Sequence, residues 1–387
     1  MTAYFIVYHN VTDLDQYTQY LNAVVPVIER RGGRFIAQGT PEAVEGTLPW
    51  KRSVVLEWRS RQDFQRFWHS DEYTEIKKLR QGAAEWFAAV VEGVHPSNNM
   101  VRPTTYHTIK VEGINIFYRE AGAKDRPTIV LLHGFPSSSH RYRDLMNKLS
   151  DQFHVIAPDY PGFGNSDAPS IAQFEYSFEH LSGVIESFLQ KLGLNQFSLY
   201  VQDYGAPIGF RIATRHPEWI QALIVQNGNA YDEGLREFWQ PLKAYWSNPS
   251  TENTDKLRSF LTLETTKWQY THGVRNPEAI SPDNWNMDQR FLDRPGNDEI
   301  QLALFYSYRY NPPLYPQWQE YFRQHQPPTL IVWGKNDYIF PIEGAYPYRH
   351  DLKDVELHLL DTGHFALEEE CDAIASHITR FVSTHTR

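Results

Sequence analysis

The sequence predicts an α/β chain in two parts, a small α+β unit followed by a larger domain on a mostly parallel sheet that carries a helical insertion. Three observations predict this. From the start to about residue 92 the hydrophobic pattern runs strand, helix, strand, strand, helix, strand. Beyond about residue 104, short apolar runs alternate with helical segments, the rhythm of parallel strands joined by helical crossovers. That rhythm breaks between about residues 229 and 326, where aromatic-rich helical stretches and prolines replace strands.

Composition bounds the function. A chain of 387 residues with 41% hydrophobic side chains exceeds one average domain. Lys and Arg number 37 against 47 Asp and Glu, a net charge of -10, and no basic cluster tracks a phosphate backbone, which argues against nucleic acid as a partner. The N-terminus lacks the basic and apolar regions of an export signal, and no run approaches the roughly 18 apolar residues that span a membrane. A soluble, cytoplasmic protein is expected. Cys371 is the only cysteine, so no intrachain disulfide and no cysteine metal site can form.

In the first part, strand-like runs at 3–8, 34–38, 52–58 and 86–92 enclose helical runs at 13–30 and 61–81. Gly32-Gly33 stops the first helix as a C-terminal glycine does. The order is that of a ferredoxin-like split unit, whose open sheet face needs a cover, and a two-fold partner supplies one. Over residues 1–95 this part resembles the small dimeric α+β barrel domains of a family of unknown function. A homodimer is therefore expected. His9, His69 and Glu57 lack metal-ligand spacing and read as structural or surface residues. The polar, proline-flanked stretch 96–103 reads as a linker.

In the second part, 104–387, strand-like runs fall at 107–112, 115–120, 128–132, 155–158, 197–201, 222–226, 329–333 and 356–360. The insertion at 229–326, with helical stretches such as 237–246 and 297–308, reads as a cap that excludes water from a site below it. Its many rings suggest an apolar cavity.

The chemistry lies at strand ends. Leu131-Leu132-His133-Gly134-Phe135-Pro136 ends an apolar strand in a turn whose Phe135 N–H is a natural oxyanion donor. Asp159-Tyr160-Pro161-Gly162-Phe163-Gly164 follows the next strand, and Ser166 beyond it reads as a loop residue. Val201-Gln202-Asp203-Tyr204-Gly205 joins a strand to a helix in a sharp turn, the context of a nucleophile elbow, with aspartate in the place of serine. Tyr204 N–H is the second oxyanion donor. Asp337 and His364 end two later strands, so nucleophile, acid and histidine follow one another in a recognised chain order.

On these motifs, residues 104–387 strongly resemble the α/β hydrolases of the epoxide hydrolase and haloalkane dehalogenase group. The resemblance implies an α/β-hydrolase fold with a helical cap, Asp203 as nucleophile, His364 as general base, and Asp337 as the group that orients it. An aspartate attacking carbon forms an ester, and His364 then activates the water that cleaves it. No metal or organic cofactor is implied, and the partner is a small apolar or amphipathic substrate.

The leaving group is marked less clearly. Dehalogenases of the group place tryptophan after the nucleophile and often asparagine in the His-Gly turn; here Tyr204 and Phe135 stand there. Epoxide hydrolases carry His-Gly-Phe-Pro, as here, and two cap tyrosines that protonate the opening ring. Tyr308, within Ser307-Tyr308-Arg309-Tyr310-Asn311, and Tyr245 are the counterparts expected from the resemblance. His133, Trp246 and Tyr310 are expected to contact substrate. Gln202 in place of histidine, Val201 in place of glycine, and Ala206-Pro207 depart from the epoxide hydrolase pattern. An epoxide hydrolase is the first reading and a haloalkane dehalogenase the alternative, since the Tyr204 hydroxyl can itself donate to a halide. A third reading, from another class, is a catalytically silent hydrolase fold that binds an apolar ligand.

Overall fold

The computed structural model describes residues 2–93 and 103–386. The chain divides into two compact units, Met1–Met100 and Val101–Arg387. The stretch expected as a linker, 96–103, lies outside the described residues except for its last position.

The first unit runs β1 (Ala3–Val11), α1 (Leu14–Arg30), β2 (Arg34–Gly39), β3 (Arg52–Trp58), α2 (Arg61–Trp68), α3 (Asp71–Lys78) and β4 (Ala84–Glu92). Asp13 caps α1 by accepting the Gln16 N–H, and Gly32, at φ 88°, closes it. One helix was expected over 61–81, and the structure has two. Ser70 accepts the Tyr73 N–H at 3.2 Å and donates to Phe67 O at 2.8 Å, so a capping serine interrupts a hydrophobic period that continues through it.

The antiparallel sheet has the order β2-β3-β1-β4, the arrangement of a ferredoxin-like unit. Alternation along β1 buries Ala3, Phe5, Val7 and His9 on one face. Tyr17, Tyr20, Val24, Val27 and Ile28 of α1 belong to the same core. The opposite face carries Tyr4, Ile6 and Tyr8, paired with Val91, Val55 and Phe87 across the sheet. It is open and carries exposed apolar side chains, with Phe87 53% and Val91 44% exposed, beside Glu57 and Ser53 of β3.

The second unit opens with the hairpin β5 (Thr105–Val111) and β6 (Ile114–Ala121). Then come β7 (Thr128–Leu132), α4 (Arg143–Leu149), β8 (His154–Pro158), α5 (Phe178–Lys191), β9 (Phe197–Gln202), α6 (Gly205–Arg215) and β10 (Ile220–Gln226). Six helices form the cap and its exit: α7 (Gln240–Ser247), α8 (Thr251–Arg258), α9 (Leu263–Thr271), α10 (Pro282–Leu292), α11 (Asn297–Ser307) and α12 (Tyr315–His325). The chain ends with β11 (Thr329–Gly334), α13 (Tyr348–Asp351), β12 (Val355–Leu360) and α14 (Leu367–His385). The cap contains no strand, as expected from its proline punctuation.

The sheet has the order β12-β11-β10-β9-β7-β8-β6-β5. It is parallel from β8 to β12 and antiparallel only at β6 and β5. Strands β7 to β9 and β11 are buried along their whole length, because separate apolar clusters cover the two faces. After β7 the chain pairs β8 on one side and later β9 on the other. The strand order thus reverses beside β7, and a crevice opens at the carboxyl ends of the strands at such a switch point.

Two glycines permit the close approach made there. A Cβ on Gly134 would lie 2.2 Å from the Cβ of Asp203, and one on Gly205 would lie 2.1 Å from the Leu132 carbonyl oxygen. Backbone cannot yield as a flexible side chain does. Gly205→Ala is expected to destabilise the larger unit by about 2 kcal/mol or more, read as a lower thermal unfolding midpoint; an unchanged midpoint would contradict this packing.

Candidate active site

Asp203 occupies the turn between β9 and α6 with φ 52°, a left-handed conformation that costs energy in any residue but glycine. The turn aims its carboxylate at two backbone donors. Oδ1 accepts Phe135 N–H and Tyr204 N–H, each at 2.7 Å. Oδ2 is left on the side of His364, whose Nε2 is 3.7 Å away. The side chain is 5% exposed. Burial raises the Asp203 pKa above the ordinary carboxylate value, against the opposing pull of His364, the two N–H groups and Arg141.

His364 follows β12 and faces Asp337, which follows β11. Nδ1 of the imidazole is 2.8 Å from Asp337 Oδ2. That carboxylate is itself fixed: Oδ2 accepts Asn227 Nδ2–H at 2.9 Å and Oδ1 accepts Ile339 N–H at 2.8 Å. Asn227 also clamps Gly334, accepting its N–H at 2.9 Å and donating to its carbonyl at 3.2 Å. On the other side of the ring, Gln202 Nε2 lies 2.9 Å from His364 Nε2, and Gln202 Oε1 accepts from Arg141 Nη1. The arginine leaves Gln202 only its NH₂ to offer the histidine. The partners therefore assign the tautomer: the proton is on Nδ1, toward Asp337, and Nε2 presents a lone pair.

A small cavity of about 30 Å³ lies over Asp203. Its walls are Phe135 and Tyr204 below, with Phe238, Trp239, Leu242, Phe260, Thr265, Gln269, Phe305 and Ile339 completing it. Most cap donors there are already committed: Trp239 Nε1–H to Ile339 O at 2.8 Å, and Thr265 Oγ1–H to Ser259 O at 2.8 Å. Gln269 is 4% exposed, yet its amide makes no hydrogen bond with any described residue. Burial, reinforced by Asp203, holds the Tyr204 phenol well above its ordinary pKa, so it is a protonated donor.

Five residues expected at the substrate do not line this cavity. Tyr308 is buried one layer behind the wall, its ring 4.5 Å from Trp239 and 6.1 Å from Tyr204. Tyr245 packs on Tyr306 at 5.3 Å. Trp246 turns its indole N–H to Phe305 O at 2.7 Å. Tyr310 is 55% exposed beneath the Arg309 guanidinium. His133 is fully buried and stacked on Tyr160 at 4.0 Å, with Nε2 accepting Tyr160 N–H at 3.3 Å and Nδ1 on Gly134 O at 3.1 Å. Burial depresses its pKa to about 3, so it braces the His-Gly turn as a neutral ring. Ser166 bonds Asp159 O and Phe117 N, in keeping with a loop role.

Among the described residues, one side-chain cluster has metal-ligand spacing, Glu356, His358 and His377. It sits at β12 and α14, and Glu356 is paired with Arg380, so nothing there adds to the site.

A doubly wound sheet, a strand-turn-helix elbow and a histidine–carboxylate pair in this chain order define an α/β-hydrolase-fold enzyme. The family described as alpha/beta hydrolase fold matches residues 127–370, and the chain belongs to it. A domain of unknown function, DUF1330, matches residues 2–94. An uncharacterized hydrolase of Saccharomyces cerevisiae, YNR064C, is 42% identical over 278 residues, covering 70% of this chain and 95% of its own. A haloalkane dehalogenase of Bradyrhizobium diazoefficiens is 38% identical over 113 residues, 29% of this chain and 36% of its own. Among solved structures, the epoxide hydrolase CorEH superposes with a TM-score of 0.60 at 18% identity, over 73% of this chain and 99% of its own. That likeness is one of fold.

The raised pKa of Asp203 has a consequence for stability. A carboxyl whose folded pKa lies above its unfolded value destabilises the fold once pH rises past the unfolded value, and below that value both states are protonated and the penalty vanishes. Asp203→Asn keeps an Oδ1 for both N–H groups. It is expected to raise the unfolding midpoint by a few degrees at neutral pH, with the gain shrinking as pH falls toward about 4. A lower midpoint at neutral pH would contradict the direction.

Proposed function

We propose that the chain hydrolyses small apolar carbon electrophiles through an ester formed on Asp203. The observation that carries this reading is the division of labour between the two carboxylate oxygens: Oδ1 sits on two N–H donors while Oδ2 faces the cavity side and His364. In the first step Oδ2 attacks a substrate carbon, a carbon–oxygen bond forms, and the leaving atom departs with its electron pair. In the second, water takes the place of the Gln202 NH₂ on His364 Nε2, gives that nitrogen a proton and attacks Cγ, and negative charge grows on Oδ1, where Phe135 N–H and Tyr204 N–H already point. Collapse releases the alcohol and returns the carboxylate. Asp337 stabilises the imidazolium, and Asn227 holds Asp337 in place.

An epoxide is the first reading of the substrate. The opening ring oxygen needs a proton, and Tyr204 is the only phenol among the residues that line the cavity. It takes the acid role expected of Tyr308 and Tyr245. A haloalkane is the second reading, favoured by the uncommitted Gln269 amide, which can hydrogen-bond an anion but has no proton to surrender. The cavity over Asp203 is small, about 30 Å³, and the cap helices part to admit substrate.

His364→Ala incubated with a terminal epoxide or a bromoalkane is expected to gain the mass of the alkyl group on the peptide carrying Asp203. An adduct elsewhere, or none with any such substrate, would refute the ester. Tyr204→Phe is expected to slow epoxide opening by about 100-fold while leaving breakdown of a preformed ester nearly unchanged; equal loss in both steps would remove the acid role.

We also read the first unit as a homodimerisation module, on the open face of Tyr4, Ile6, Tyr8, Phe87 and Val91. Phe87→Glu with Val91→Lys in the full chain is expected to halve the mass seen by light scattering. An unchanged mass would exclude this face as the contact.

A further inference from the structure

The first unit holds a second cavity, a cleft of about 850 Å³ bounded by Tyr17, Leu21 and Val25 on successive turns of α1 and by residues of β2 and β3. His9 lines it and is 1% exposed. Its Nε2 is 2.9 Å from the Tyr17 hydroxyl. That hydroxyl has no other acceptor among the described residues, so its proton goes to Nε2, and the ring's own proton sits on Nδ1. Nδ1 is enclosed and has no partner among the described residues. A ligand acceptor reaching it would satisfy it.

Arg52 supplies the second observation. It stands opposite His9 in the pairing of β1 with β3 and lines the same cleft. It is exposed and makes neither an ion pair nor a side-chain hydrogen bond with any described residue. The residues that line the cleft include no Asp or Glu to neutralise it. Burial and the nearby guanidinium both lower the His9 pKa, so the ring offers a neutral N–H donor beside a permanent cation. An inner, mostly apolar cavity of about 50 Å³ shares His9, Tyr17, Leu21, Phe35 and Val54 with the cleft and extends it between α1 and the sheet.

A cation and a donor at one end, with aromatic and aliphatic walls at the other, select a molecule with the complementary halves. We propose that the N-terminal unit is a binding site for a small hydrophobic monocarboxylate, with its carboxylate on Arg52 and His9 Nδ1–H and its hydrocarbon along Tyr17, Leu21, Phe35 and Val54. A carboxylate satisfies both donors through charge-assisted bonds. An alcohol or amide of the same chain length leaves the guanidinium without a counter-charge. The site is independent of the chemistry at Asp203.

The test uses the full chain and calorimetric titration with octanoate and octanol. Octanoate is expected to bind, and octanol to bind about tenfold more weakly or not at all. Arg52→Gln alters only an exposed side chain, so it keeps the fold, and it is expected to weaken octanoate by about tenfold while leaving octanol unchanged. His9→Phe, if folded, is expected to weaken octanoate as well. Octanoate binding that survives Arg52→Gln unchanged would place the ligand elsewhere, including the hydrolase cavity, and overturn the proposal. Equal affinity for octanol, or no binding of octanoate by the wild-type chain, would overturn it too.

Discussion

The two backbone N–H groups that meet on Asp203 Oδ1 are the constraint on which the rest of the larger unit depends. Phe135 N–H comes from the turn after β7, and Tyr204 N–H from the turn after β9, so the two strands must be neighbours and end level. Asp203 must then adopt a left-handed backbone, Gly134 must lack a Cβ, and Gly205 must let α6 approach Leu132. A strained turn of this kind persists only where the surrounding structure over-determines it. A parallel sheet covered on its two faces by separate apolar clusters provides that surrounding.

The same crossing of N–H groups explains how a buried carboxylate is tolerated. Taking a charge out of water is costly unless it is paired and hydrogen-bonded, and the site answers with a chain of fixed partners. Arg141 orients Gln202, Gln202 and Asp337 grip the two nitrogens of His364, and Asn227 grips Asp337. Each link leaves its neighbour one remaining orientation. The histidine consequently carries its proton on Nδ1, and its Nε2 lone pair is held by Gln202 beside Asp203.

Much of this was legible in the sequence, and the reason is local. Elbow, His-Gly turn, Asp337 and His364 each end an apolar strand, and a strand end is visible in a run of a few residues. The cap was legible only as helical and aromatic. Which face of a cap helix meets the cavity depends on packing against other helices, so Tyr308 and Tyr245 were assigned by likeness to a string and lie behind or beside the wall. Gln269 gave no signal, because α9 buries Thr266, Gln269 and Tyr270 and lacks an apolar stripe. Gln202 was visible but read for its type, whereas its role comes from Arg141, 61 residues earlier. Asn227 lies directly after β10, and its clamp on Gly334 and Asp337 joins residues 107 and 110 positions apart, which no local run of sequence shows. In the first unit the order of elements was legible, and the break at Ser70 was hidden by a hydrophobic period that runs through it.

The central claim is that oxygen passes from the protein to the product before water replaces it. A single turnover in heavy-oxygen water, with enzyme in excess over an epoxide or haloalkane that is turned over, tests this directly. A first product carrying ordinary oxygen is expected, with the heavy atom found in the carboxylate of Asp203. Heavy oxygen in the first product and none in the Asp203 peptide would mean that water attacks carbon directly, and would contradict it.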